Sequence, residues 1–331
     1  MSLYPLTFTP VLKDYIWGGR NLERLLGRAL PDGIIAESWE IAAHEDGTAQ
    51  VNNGRFAGKL LTEVHAELGL DLIGSNCAWA QERGKFPLLI KLLDANRELS
   101  VQVHPKDDYA LAHEGNELGK TEMWVVLDAK PNAQVILGVT AGTTPEAFRQ
   151  AISDGNLEPY MHYVDVKKGD VICVPAGSLH AILDGVLIAE IQQNSNTTYR
   201  VYDWNRLQNG KPRPLHVDRA LDVINFEQVA PSLCPPPVVA DENGVQRSLL
   251  CQNEYFVTER VEMEAGAVHN GRCDGSSLEI WGVINGSATI GSEASTDVSL
   301  AAVQFTLLPA AMGNFTVTTA ESATLLRTFV S

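Results

Sequence analysis

Hydrophobic and polar residues alternate over short stretches through most of this chain, the period of two expected of half-buried strands. Beyond residue 240 the pattern predicts strands over 255–263, 277–284 and 315–318. Asn285-Gly286, set between apolar residues on both sides, has the composition of a two-residue hairpin turn. Before residue 229, strands are predicted over 85–93, 123–127 and 170–174. Three stretches follow helical spacing instead. Thr144 caps a helix that has Pro145 in its first turn and stops at Asp154-Gly155; 107–114 is a second, ended by Gly115; 60–68 is a third, ended by Gly69.

Four prolines in the seven residues 231–237 interrupt these patterns. Proline fixes φ and removes a donor, so this stretch is neither a central strand nor a helix interior. The expected organisation is therefore a domain over 1–229, a Pro-rich linker over 230–240 and a C-terminal β-sandwich over 241–331. A length of 331 residues suits two domains. The balance of 25 Lys+Arg against 41 Asp+Glu gives a formal charge of −16. So acidic a surface argues against nucleic acid or an anionic membrane as partners. The charge is uneven, however: 200–219 carries Arg200, Arg206, Lys211, Arg213 and Arg219 against Asp203 and Asp218. Five scattered cysteines without a Cys-x-x-Cys pair suggest reduced thiols. The first residues, Met1-Ser2-Leu3-Tyr4-Pro5, lack a signal-peptide pattern, so a cytoplasmic location is expected.

The segment most informative about chemistry is 168–180. Gly169, Pro175, Gly177 and His180 follow Gly-x5-Pro-x-Gly-x2-His, and Asp184 stands further on where an Asn completes the pattern. This resembles the second motif of the cupin superfamily, in which the His binds a metal at the mouth of a small β-barrel. A buried, hydrogen-bonded His in a turn is the alternative. In Ser100-Val101-Gln102-Val103-His104, strand alternation places Ser100, Gln102 and His104 on one face. A Gln and a His two apart can converge on one ion, and Glu122 could add a carboxylate. A surface strand for Gln102 and a solvated turn for Glu122 are the plainer readings of each alone.

Taken together the segments resemble the type I phosphomannose isomerases, short bacterial form. The matching motifs are Tyr15-Ile16-Trp17-Gly18-Gly19, the stretch from Ser100 to Pro105, Lys120-Thr121-Glu122-Met123, the stretch from Pro175 to Ile182, Glu190, and Thr198-Tyr199-Arg200. The resemblance implies a mostly β fold: a cupin-type jelly-roll β-barrel or sandwich with helical insertions, plus a second C-terminal β-sandwich. It implies an isomerase that interconverts mannose 6-phosphate and fructose 6-phosphate with one Zn²⁺. The matching metal ligands are Gln102, His104, Glu122 and His180, a donor set that suits zinc without excluding other divalent ions. Glu190 corresponds to a proposed base and Arg200 to a catalytic arginine, with Ser100 and Lys120 as donors to the sugar phosphate. A structural Glu190–Arg200 ion pair and a solvated Lys120 are the competing readings.

Two other functions fit the same residues: a non-catalytic metal-bound sugar-phosphate sensor, and a cupin oxygenase, although Gln102 and Glu122 dilute the His-rich set usual for iron. Trp17, Trp39, Trp124 and Trp204 could line the cleft, although aromatic packing is the plainer reading of each. The C-terminal sandwich has Leu308-Pro309-Ala310-Ala311-Met312 at the comparable turn, with no ligand, so no second metal is expected.

Overall fold

The computed structural model describes residues 3–208, 210–292 and 295–331, so Met1 and Ser2 of the N-terminal segment lie outside it. The chain is mostly β. It folds as two compact units: residues 12–38 with 91–234, and residues 1–11 and 39–90 with 235–331. Among the described residues, no helix is long and apolar enough to cross a membrane.

The first unit contains parts of β1 (Val11–Lys13), β2 (Glu37–Ile41) and β3 (Leu88–Ala95), which run past its bounds, together with β4 (Val101–Val103), β5 (Glu122–Ala129), β6 (Gln134–Val139), β7 (Met161–Asp165), β8 (Val171–Val174), β9 (His180–Ile182), β10 (Val186–Gln193) and β11 (Tyr199–Tyr202). A six-stranded sheet has the order β8-β5-β10-β3-β2-β1, and a five-stranded sheet the order β7-β6-β9-β4-β11. Both sheets stay open among the described residues, a sandwich rather than a closed barrel. Trp124, Val126, Ile172, Val174, Ile182 and Ile188 share one core cluster of this unit. Strands β3 and β10 are buried along their whole length, which is why they read as continuous apolar runs rather than alternating ones.

The sequence-predicted helices form as α1 (Leu61–Leu68), α2 (Asp107–His113) and α3 (Pro145–Asp154), joined by α4 (Val217–Val223). Helix α3 has the expected start and stop: the Thr144 hydroxyl accepts from the Ala147 N–H, and Gly155 takes a left-handed φ of 67°.

The second unit carries β12 (Val238–Glu242), β13 (Val245–Gln252), β14 (Val257–Met263), β15 (Val268–Cys273), β16 (Glu279–Asn285), β17 (Ser287–Ser292), β18 (Ser295–Ala301), β19 (Phe305–Leu308), β20 (Gly313–Thr318) and β21 (Ala323–Phe329). They form a six-stranded sheet, β12-β13-β14-β21-β16-β19, and a four-stranded one, β15-β20-β17-β18. Residues from both sheets, among them Val261, Trp281, Ile290, Val317 and Leu325, share one core cluster.

The sequence boundary assigned 1–229 to one domain, whereas the fold groups 1–11 and 39–90 with the C-terminal residues. Backbone hydrogen bonds account for the grouping: Leu6 exchanges a pair with Leu307 at 2.8 and 3.0 Å, Ser75 donates to Gly275 at 3.0 Å, and Ala310 donates to Leu72 at 3.0 Å. Such distant pairings leave no local signature.

Two local expectations are corrected. Asn285-Gly286 does not close a hairpin, because β16 and β17 lie in different sheets. Gly286 turns the corner with φ 83°, and a Cβ there would sit 2.9 Å from the Ser322 carbonyl oxygen, so the glycine serves close approach rather than a hairpin. Free thiols are found at Cys77, Cys234 and Cys273, but Cys173 and Cys251 are disulfide-bonded. Wide sequence spacing says nothing about which cysteines the fold brings near a partner.

Candidate metal centre and cleft

The centre is assembled within the first unit from adjacent strands of each sheet. On the five-stranded sheet, Gln102 of β4 pairs directly with His180 of β9 and with Arg200 of β11. His104 follows β4, and its backbone carbonyl accepts from the Gly177 N–H at 2.8 Å. Gly177 has φ 90°, a conformation that the Pro175-Ala176-Gly177 turn requires and that L side chains rarely adopt. That turn therefore sets His180 beside His104, with ring centroids 4.7 Å apart. The six-stranded sheet contributes Glu122 at the head of β5, opposite Val174 of β8 and Gln192 of β10.

His104, Glu122 and His180 are all buried, and one ligand atom from each lies within 4.8 Å of the others. Each histidine turns Nδ1 to a backbone carbonyl: His104 to Thr197 at 2.8 Å and His180 to Ser178 at 2.9 Å. This assigns the proton to Nδ1 and directs the Nε2 lone pairs inward, the arrangement that orients imidazole ligands in metal sites. His104 Nε2 is 3.3 Å and His180 Nε2 3.9 Å from the Glu122 carboxylate. The Gln102 amide nitrogen lies 3.3 Å from His180 Nε2, and Ser100 donates to the Gln102 amide oxygen at 3.4 Å.

Electrostatics favour a cation here. Burial pushes His104 down to about 3, helped by the neighbouring Lys120 ammonium, and burial likewise lowers His180. Both imidazoles are thus neutral, as ligands must be. Burial alone would raise the Glu122 carboxyl, but the Lys120 ammonium beside it holds it well below the usual carboxylate range. Glu122 Oε1 is buried and accepts no hydrogen bond; Lys120 Nζ lies 2.8 Å away as an ion pair without hydrogen-bond geometry. His104 Nε2 meets only the Lys120 ammonium at 3.3 Å among the described hydrogen-bond partners, and two inward imidazole nitrogens, a carboxylate oxygen that accepts no hydrogen bond and an adjacent amide fit a small divalent cation.

Beside this centre opens a cleft of about 300 Å³, lined among others by Gln102, Lys120, Trp124, Glu190, Arg200 and Arg213. Ser100 lines it too. Lys120 is buried rather than solvated. Glu190 is buried on β10 directly opposite Trp124, whose indole N–H donates to it at 3.0 Å. Burial, with the Glu122 charge nearby, pushes Glu190 up to about 7, against the opposing pull of Lys91. Its ionic partner is Lys91 at 3.5 Å; among the described residues no ion pair joins Glu190 to Arg200. The Arg200 guanidinium donates instead to the Pro214 carbonyl at 3.0 Å, and its buried Nε has no partner.

The model of the phosphomannose isomerase type I catalytic domain matches residues 6–139. The probable mannose-6-phosphate isomerase GmuF of Bacillus subtilis (strain 168) is 38% identical over 322 residues, covering 95% of this chain and 96% of that one. The chain belongs to the type I phosphomannose isomerases. Mannose-6-phosphate isomerase ManA of the same organism is 42% identical over 233 residues, covering 69% of this chain and 70% of its own length. A solved mannose 6-phosphate isomerase from Bacillus subtilis superposes with a TM-score of 0.86 at 35% identity, over 99% of both chains. Membership makes the chain an isomerase and accounts for the shared fold.

Sequence reasoning overlooked several residues around this isomerase cleft. Lys91 is 2% exposed and sits between Glu37 at 3.6 Å and Glu190. Glu37 and Glu190, aided by Glu122, outweigh the effect of burial and hold the Lys91 ammonium above its ordinary pKa. The available signal was a lysine inside the apolar run of β3: a charge there needs a partner, because stranding it in the core is costly. Arg213 was counted only as local charge, yet it lines the cleft with its guanidinium fixed by Asp203 through Nε at 2.7 Å. Trp124, read as packing, is also a donor to both Glu122 and Glu190.

Proposed function

We propose that this isomerase interconverts mannose 6-phosphate and fructose 6-phosphate, using one zinc ion held by Gln102, His104, Glu122 and His180. The observation that carries the reading is the pair of imidazoles, each tied through Nδ1 to a carbonyl and turned through Nε2 toward a buried carboxylate, beside a cleft that contains a second buried carboxylate. When bound, the metal supplies fixed positive charge that polarises the substrate carbonyl and stabilises the enediolate by several kcal/mol.

The chain's own residues supply proton transfer and binding. Moving a carbonyl between C1 and C2 requires a base that removes the proton beside the carbonyl and returns it to the neighbouring carbon. Glu190 suits this role, since a carboxyl raised to about 7 is basic enough to take a proton and acidic enough to give it back near neutral pH. Trp124 holds its Oε1, and Lys91 faces its Oε2 at 3.5 Å. Ser100 and Lys120 donate to sugar or phosphate oxygens. Arg200 stays charged and anchors the anion rather than shuttling protons. The cleft lining contains Lys91, Lys120, Arg200 and Arg213 against Glu37 and Glu190, so it is locally cationic on an acidic protein and favours a single small phosphate. A cytoplasmic location accords with a phosphorylated sugar as substrate.

Chelator-stripped protein should fail to turn over mannose 6-phosphate in a coupled fructose 6-phosphate assay, and added Zn²⁺ should restore turnover. Full activity in protein shown to be metal-free would refute the metal requirement. Zinc-loaded protein that leaves mannose 6-phosphate unchanged would refute the substrate.

A further inference from the structure

Both carboxylates of the centre, each with its own lysine, share one further donor. The Trp124 indole N–H lies 3.1 Å from Glu122 Oε2 and 3.0 Å from Glu190 Oε1, and all three side chains are buried. The strands dictate this meeting. Glu122 and Trp124 are two apart on β5 and so share a face, while Glu190 is the residue directly across from Trp124 on β10. The indole ring also stands edge-on to His180, with centroids 5.5 Å apart.

The second unit contains a natural comparison. Strand β16 carries the same spacing, Glu279-Ile280-Trp281, and the Trp281 N–H donates to Glu279 Oε2 at 2.9 Å. Its neighbours in the sheet are β19 and β21, as those of β5 are β8 and β10. Across from Trp281, however, stands Arg327. The Glu-x-Trp bond is therefore a building element of both units, and the second acceptor is peculiar to the centre.

We propose that Trp124 is a positioning residue: its single N–H clamps the ligand carboxylate Glu122 and the base Glu190 at a fixed separation. The inference rests on the roles proposed for those two residues under the isomerase reading. Two like-charged carboxylates in a dry site repel, and a shared donor lowers that cost while fixing one oxygen of each. Partners that orient a metal's ligands in this way typically contribute about 10–100-fold to metal affinity or activity.

The test compares wild type with Trp124→Phe, with an isostere at position 124 in which benzothienylalanine exchanges the N–H for sulfur, and with Trp281→Phe. Zinc affinity is measured on metal-free protein by competition with a chromophoric chelator, alongside kcat, KM and melting temperature. Both changes at 124 should lower kcat about 10–100-fold with KM within about threefold, and weaken zinc binding about tenfold. Trp281→Phe should lower the melting temperature and leave kcat and zinc affinity unchanged. Should Trp124→Phe fail to fold, the isostere decides. Zinc affinity within twofold of wild type for the isostere overturns the clamp, whatever the turnover. Equal losses of kcat in Trp124→Phe and Trp281→Phe also overturn it, since the effect would then be one of general stability. If wild type does not isomerise mannose 6-phosphate while loss of the N–H still weakens zinc binding, the substrate reading fails and the hold on Glu122 stands.

Discussion

Replacing Arg327 by Met should destabilise the C-terminal sandwich by about 3 kcal/mol, and the structure shows where the loss arises. The guanidinium donates to Glu279 through Nε at 2.8 Å and NH2 at 2.6 Å, and reaches Glu259 through NH1 at 3.3 Å. Glu279 and Glu259 are 5% and 6% exposed. Burial alone would lower the Arg327 pKa, but hydrogen bonds and charge from these two glutamates hold it above the ordinary value. Methionine keeps most of the hydrophobic stem and deletes the charge. Glu259 would then still have Arg247 at 3.2 Å, whereas Glu279 would keep, among the described residues, only the Trp281 N–H as a side-chain donor. Removing one partner of a buried pair costs about 3–5 kcal/mol, and the surviving Arg247 contact places this case at the lower end. Replacing Glu279 by Gln in the same chain removes the stranded charge, so the double variant should regain about 2 kcal/mol over Arg327→Met. Urea unfolding followed by circular dichroism on the four members of the cycle measures the coupling. Arg327→Met within about 1 kcal/mol of wild type, or a double variant whose loss equals the sum of the two single losses, would refute the reasoning.

Three further outcomes follow from named groups. Glu190→Gln keeps the shape and an acceptor for Trp124 but cannot take a proton, so kcat should fall about 10²–10⁴-fold with zinc content unchanged; a loss under tenfold would remove Glu190 from the base role. Asp203 fixes Arg213 by bonds of 2.7 Å to Nε and 2.5 Å to NH2, so Asp203→Asn should raise KM for the sugar phosphate about tenfold; an unchanged KM would show that Arg213 does not meet the substrate. His269 is held below its ordinary pKa by burial and then by Arg327, so the folded state resists its protonation. The unfolded chain binds that proton near pH 6.5, so this group costs stability as pH falls below about 6.5 toward the folded value. The melting temperature of wild type minus that of His269→Gln should therefore shrink between about pH 7.5 and 5.5, and a constant gap would exclude the effect.

Residues whose placement is decided locally were legible in the sequence. The Pro175-Ala176-Gly177 turn and the alternation from Ser100 to His104 each follow from a few adjacent residues, and they bring Gln102, His104 and His180 together. Helix α3 was legible for the same reason, since its cap and stop are adjacent in the chain. Long-range pairings were not. Lys91, Glu37 and Glu190 come from three strands, and only the oddity of a charge in an apolar run hinted at a partner. Asn285-Gly286 misled because a sharp corner between sheets and a hairpin turn make the same demand for a residue at positive φ. The grouping of residues 1–11 and 39–90 with the C-terminal strands rests on backbone bonds such as Leu6 to Leu307, and backbone pairing carries no side-chain code.

The two Glu-x-Trp strands meet one electrostatic problem in different ways. In each, a carboxylate held by an indole N–H is buried beside a core that cannot solvate it, so a cation is needed nearby. In the C-terminal sandwich Arg327 meets that need, occupying the position across from the tryptophan and binding two carboxylates. An aromatic ring, Phe315, stands edge-on to Trp281 at 6.1 Å, much as His180 stands to Trp124 at 5.5 Å. In the first unit the residue across from the tryptophan is Glu190, a second carboxylate rather than a counter-charge, and the edge-on ring is an imidazole whose Nε2 faces Gln102 and Glu122. That substitution leaves Glu122 dependent on Lys120 and on whatever cation the two imidazoles can hold. It also sets a carboxyl raised to about 7 by burial in the lining of the cleft. Exchanging a fixed guanidinium for a carboxylate thus separates the strand pair that neutralises its own buried charge from the one on which the proposed metal binding and proton transfer rest.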